Sequence, residues 1–131
     1  MRTPIILVAS CIVATVAAAS SAAPPAGTPR VTEVIVLDVG TNMQKFSDLS
    51  SRVNAIATKY QNTGKTRYWV TTWAGSEVGR VIVTIEYPSL VSMAESMAKM
   101  EASPEFQQWQ KDAQTSGIKQ VSTSVVTELS P

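Results

Sequence analysis

The chain has 131 residues, 44% of them hydrophobic, with eleven basic and ten acidic side chains, one cysteine and no histidine. So even a balance, without a run of Lys or Arg, argues against nucleic acid or an anionic membrane surface as a partner, since both demand clustered cations. The missing imidazole removes the commonest zinc and haem ligand and the usual acid–base group, so metal catalysis is not expected and no cofactor is called for, although composition leaves room for a haem held by tyrosine.

Met1-Arg2 precedes an apolar and small stretch from Pro4 to Ala19, followed by Ser20, Ser21, Ala22, Ala23 and the Pro24-Pro25 pair. This is the pattern of a secretory signal peptide. Ala19 and Ser21 stand at signal-peptidase spacing, so residues 1–21 form the expected leader, with cleavage before Ala22; a proline would follow a cut after Ala23. A membrane anchor is less expected, because the run of about 16 residues falls short of the roughly 20 that span a bilayer. Val8-Ala9-Ser10-Cys11 has the look of a lipoprotein box, but half of the apolar run still follows it. Loss of the leader removes Arg2 and the single cysteine, leaving ten basic and ten acidic residues and no disulfide. The expected location is the periplasm or the medium of a bacterium, a eukaryotic secretory route also being open. About 110 residues suffice for one packed domain.

Residues 22–30, AAPPAGTPR, are small and proline-rich and form a disordered linker, and the domain occupies residues 31–131. Val31 to Val39 is β-branched and apolar on both faces, as in a central strand. Gly40-Thr41-Asn42 turns the chain, with Thr41 or Asn42 able to cap a helix that carries Phe46, Leu49, Val53, Ile56 and Tyr60 on one side. Asn62-Thr63-Gly64 stops it. Thr66 to Ala74 is a second strand, with Trp69, Thr71 and Trp73 pointing one way and Tyr68, Val70 and Thr72 the other. A glycine-bearing return, Gly75 to Gly79, leads into a third strand in which Val81, Val83, Ile85 and Tyr87 alternate. Pro88 ends it and Ser89 caps a helix with Met93, Met97 and Met100 at helical spacing, read as core filler. At Ser103-Pro104 a new cap and a first-turn proline restart the helix, and Phe106, Trp109 and Ala113 continue its spacing. Gly117 breaks the run, and Lys119 to Leu129 forms the last strand.

The order β, α, β, β, α, β closes into an α+β ferredoxin-like sandwich, a four-stranded antiparallel sheet with its helices on one face. If Ile35, Leu37, Val39, Val81, Val83, Ile85, Val121 and Val125 lie beneath the helices, alternation puts Val34, Val36, Trp69, Trp73, Ile82 and Val126 on the other side. A patch of that size on an open sheet needs a cover. A second copy of the chain is the economical one.

The segment EYPSL, the methionine-rich helix and SPEFQQW, set after a hairpin with an aromatic strand, resemble the dimeric α/β-barrel superfamily over residues 31–129. The likeness is greatest to its NIPSNAP-like and antibiotic-biosynthesis-monooxygenase-like members. It implies that two ferredoxin-like sheets pair bare face to bare face, with a pocket between sheet and helices or within the barrel. Known members range from cofactor-free monooxygenases and isomerases to haem-handling and stress proteins, so the fold does not fix the function. Haem-degrading members use an axial histidine that this chain lacks. Cofactor-free monooxygenases use an asparagine, a tryptophan and a tyrosine to orient a phenol; Asn42, Trp69, Trp73, Tyr68 and Tyr87 are of those types.

Trp69 and Trp73, about 13 Å apart on an ideal strand, can stack a flat ligand or pack a dimer interface. Asp38 and Arg80 share a face and are expected to form a cross-strand ion pair, and Arg80 could hold a ligand carboxylate. Glu86 is the carboxylate expected to be partly buried, either as a general base or held by Ser122 or Ser124. Three readings result: an exported homodimeric binding module for an apolar or aromatic small molecule; a cofactor-independent monooxygenase or isomerase acting on a phenol or ketone with Glu86 or Asp38 as base and Arg80 or Asn42 steadying the anion; and a structural or stress-related dimer without ligand. The first is preferred, for want of histidine, thiol and an acid–base dyad.

Overall fold

The computed structural model describes residues 27–72, 75 and 79–129. The expected leader, the first part of the linker and Trp73 lie outside the described residues. Seven elements follow one another: β1 (Val31–Asp38), α1 (Met43–Lys59), β2 (Lys65–Val70), β3 (Val81–Tyr87), α2 (Leu90–Glu101), α3 (Pro104–Gln114) and β4 (Lys119–Thr127). The strands make one antiparallel sheet in the order β2-β3-β1-β4. That order follows from two β-α-β crossovers joined by a hairpin, so the ferredoxin-like α+β sandwich is the fold.

The punctuation read from the sequence sets the helix boundaries. Ser89, in extended backbone, accepts a hydrogen bond from the Ser92 N–H at 3.1 Å and so satisfies one orphan donor of α2. Ser103 does the same for α3, accepting from the Phe106 N–H at 3.2 Å while its hydroxyl donates to the Met100 carbonyl at 2.7 Å, with Pro104 in the first turn. At α1 the cap position falls on Asn42, whose side chain makes no capping bond. β2 ends at Val70, short of the expected Ala74, although Thr71 and Arg80 still bridge the two arms through the Thr71 N–H and the Arg80 carbonyl at 2.9 Å.

The core lies between the sheet and the helices in two clusters. Val31, Tyr87 and Met93 form one, with Ile85 and Met97 packed on it. Val39, Val81 and Val83 form the other, with Ile35, Leu37, Phe46 and Ile118 around it. Met93 and Met100 are buried, as core filler should be. By contrast α1 and α3 bury no residue completely and are joined by polar contacts, among them Arg52 to Asp112 at 2.7 Å and the Trp109 indole N–H to the Leu49 carbonyl at 2.8 Å.

One expectation fails here. Val121 and Val125 do not lie under helices but are 45% and 43% exposed. The reason is twofold: α3 packs beside α1 instead of over β4, and the β1–β4 register slips between Val36 and Leu37, leaving Val121 without an opposite residue. At the other end of the sheet Arg30 is tied in, its carbonyl accepting from the Glu128 N–H at 3.1 Å and its guanidinium reaching Glu86 at 3.2 Å.

Candidate functional site

Register fixes which side chains share the uncovered side of the sheet. Three rows cross it. Lys65, Glu86, Thr32 and Val126 form the first; Arg67, Thr84, Val34 and Ser124 the second; Trp69, Ile82, Val36 and Ser122 the third. No helix among the described residues covers these rows. Trp69 is 51% exposed and Val126 49%. The Trp69 indole N–H donates to the Thr84 hydroxyl at 3.1 Å across the strand pair, which ties the ring to β3 while half of the residue stays exposed. The face is therefore graded, charged at the Lys65 end and apolar from Val34 to Trp69.

The helix side holds a different group. Glu33 pairs in register with Ile85 and Val125 and is in phase with Val31, Ile35 and Leu37, so its carboxyl points into the core layer. Burial raises its pKa above the ordinary glutamate value. Tyr87, 2% exposed, has its phenol pushed up first by burial and then by the negative charge of Glu33, against the opposing effect of a hydrogen bond from Asn62. Its ring meets the backbone of Gly64, where a Cβ would stand 2.8 Å from Tyr87 Cε1 and 2.5 Å from Ile85 Cγ2. Glycine is required there by close approach.

The sequence-derived candidates are distributed over these two sides and do not converge. Trp69 is on the bare face, whereas Tyr68 and Tyr87 are on the helix side, so the three cannot line one pocket. Tyr68 packs edge-on against Phe46 and its hydroxyl donates to Asn54 at 3.2 Å. Asn42 sits at the start of α1 beside Gly117, away from both groups. Asp38 is exposed and faces Lys119, and the ion pairs among the described residues are Arg30–Glu86, Arg52–Asp112 and Lys59–Glu105, so the expected Asp38–Arg80 bridge is not among them. Glu86 is held by Arg30 and not by Ser122 or Ser124, because Arg30 directly precedes β1, the neighbour of Glu86's strand, whereas β1 stands between β3 and the serines of β4. Glu86 and Glu33 are both half-buried, Glu86 on the bare face beside Arg30 and Glu33 on the helix side, where burial raises its pKa.

Outside the sheet, α1 and α3 enclose an open groove of about 510 Å³ lined by Arg52, Ala55, Ile56, Pro104, Glu105 and Gln108. Its charged rim is already satisfied. Lys59 and the Tyr60 hydroxyl both donate to Glu105, and the Lys59 contact is the chief reason that the Glu105 carboxyl is lowered to about 2. Among the described residues no group of three His, Cys, Asp or Glu could hold a metal ion, and no helix is long and apolar enough to cross a membrane.

No protein-family model matches the sequence, and no curated protein is similar to it. Solved structures are. A NIPSNAP family protein from Agrobacterium tumefaciens strain C58 is 20% identical, with a TM-score of 0.60 over 79% of this chain and 88% of that one. A second NIPSNAP family protein from that bacterium, of unknown function, is 13% identical with a TM-score of 0.58 over 76% and 87% of the two chains. A dimeric ferredoxin-like protein from an uncultured marine organism is 22% identical, with a TM-score of 0.55 over 79% and 98%. These likenesses show the fold, a ferredoxin-like one that the chain shares with structures of NIPSNAP family proteins.

Proposed function

We propose that the chain acts as an exported homodimer that pairs its two bare sheet faces and encloses an apolar or aromatic small molecule beside Trp69. The observation that carries this is the half-exposed indole, set in one row with Ile82 and Val36 on a side that no described element covers. Apolar patches of this kind on a single domain mark interaction sites. The dimeric state of the marine ferredoxin-like protein supports the pairing. Expression from the full gene in a bacterium, with the mass of the periplasmic product measured, tests the leader: a chain beginning at Ala22 is expected, and an uncleaved cytoplasmic chain would refute export. Light scattering on that product is expected to give twice the chain mass, and native mass spectrometry a dimer with a bound small molecule. A monomer refutes the pairing; a dimer that never carries or takes up a small molecule leaves the purely structural reading.

One observation favours a second reading, a cofactor-free isomerase or monooxygenase. The Glu33 carboxyl, raised by burial and close enough to the Tyr87 phenol to act on its charge, is an acid–base candidate on the helix side of the sheet. Turnover of phenol or ketone substrates that survives Glu33→Gln would exclude that role.

A further inference from the structure

Two identical faces cannot neutralise each other's excess charge. At the linker end of the bare face the described basic residues are Arg30, Lys65 and Arg67, against the acids Glu86 and Glu128. Glu86 is bound by Arg30 at 3.2 Å and has Lys65 opposite it on β2, and Glu128 follows β4 at the rim. No hydrogen bond or ion pair joins the Arg67 guanidinium to another described residue. A second copy brings the same surplus with it. Enclosing Arg67 between two such faces would bury a guanidinium that has no counter-charge within its own chain, which is unfavourable unless the other face or a ligand supplies one.

Arg67 is also well placed for a ligand. It stands two residues before Trp69 on the same face of β2, about 7 Å along the strand, and opposite Thr84 on β3. The Thr84 oxygen accepts from the Trp69 indole N–H, and the rotatable threonine O–H remains a donor. A guanidinium and a hydroxyl donor therefore lie side by side at the border of an apolar wall made by Trp69, Ile82 and Val36. That combination suits a carboxylate head on an aromatic or aliphatic body.

We infer that the molecule enclosed by the paired sheets is an organic carboxylate, its head held by Arg67 and Thr84 and its body lying along Trp69 and Ile82. This rests on the face-to-face pairing proposed above. The test uses the purified mature protein, with its mass taken by light scattering in the titration buffer, and calorimetric titration of 2-naphthoate and of its neutral counterpart 2-naphthylmethanol. Naphthoate is expected to bind about tenfold or more tightly than the alcohol. Arg67→Gln should abolish that preference with little change in the alcohol's affinity, and Arg67→Lys, which keeps the charge, should retain part of it. Equal affinities for the two probes, no binding of either to the dimer, or an unchanged preference in Arg67→Gln would overturn the assignment and leave Arg67 as a charge that blunts the edge strand β2. Failure of the pairing itself is read separately, as a monomer mass.

Discussion

Trp69→Ala is the most direct perturbation of the bare face. The side chain is 51% exposed in the single chain, and an indole-bearing residue buries on the order of 200 Å², so about 100 Å² remains to be covered by a partner. At about 25 cal/mol per Å² that is roughly 2.5 kcal/mol per copy, or about 5 kcal/mol for a two-fold dimer in which both tryptophans are lost. Each 1.4 kcal/mol is a factor of about ten, so the dissociation constant of the dimer should rise by three orders of magnitude or somewhat more. The fold itself should survive, because Trp69 belongs to neither core cluster. A dilution series in the analytical ultracentrifuge, wild type beside variant, measures the shift, and circular dichroism checks the fold. A variant that dissociates at the same concentration as the wild type would refute the reasoning, since the ring would then be exposed in the dimer too.

Other perturbations test the covered side. Gly64→Ala puts a Cβ within 3 Å of Ile85, Tyr87 and Asn62; overpacking costs about 1–3 kcal/mol, offset by about 0.4–1 kcal/mol from a stiffer unfolded chain, so the melting temperature should fall by roughly 5–10 °C in a thermal scan. Ser103→Ala removes a buried cap that serves both the Phe106 N–H and the Met100 carbonyl, and should cost about 1–2 kcal/mol in urea denaturation without altering the slope. Glu33 binds its proton more tightly in the folded chain than in the unfolded one, so its contribution to stability is present at low pH and lost as pH rises through the raised value. Wild type should thus lose ground against Glu33→Gln as pH rises from the ordinary glutamate range, and melting curves whose difference does not change as pH rises would show that the carboxyl is solvated.

Much of the fold was legible in the sequence because its signals are local. Pro88 and Ser89, and then Ser103 and Pro104, end and restart elements by missing donors and capping hydroxyls, and those boundaries stand as read. The strand parities also stand: Trp69 faces away from Tyr68, and Ile35, Leu37, Val81 and Val83 face the helices. The site was less legible, although two signals for it were present. Glu33 is in phase with the covered residues of β1, and Arg67 with Trp69, yet Glu86 drew attention because its neighbours in the chain are apolar. Chain neighbours on a strand lie on opposite faces, so the polarity of a residue's surroundings is set by positions two away and across the sheet.

The amino-acid order alone determined which residues become strand or helix, where each element stops and which side chains share a face, since backbone sterics, caps and the two periodicities act within a few residues. Only the assembled tertiary structure decided that Arg30 reaches Glu86 over 56 positions, that α3 lies along α1 and leaves Val121 and Val125 uncovered, and that Tyr87 comes close enough to Glu33 to feel its charge. The first and last of these follow from the pairing register of β1 with β3 and the second from how α3 packs along α1, and both join residues remote from one another in the chain.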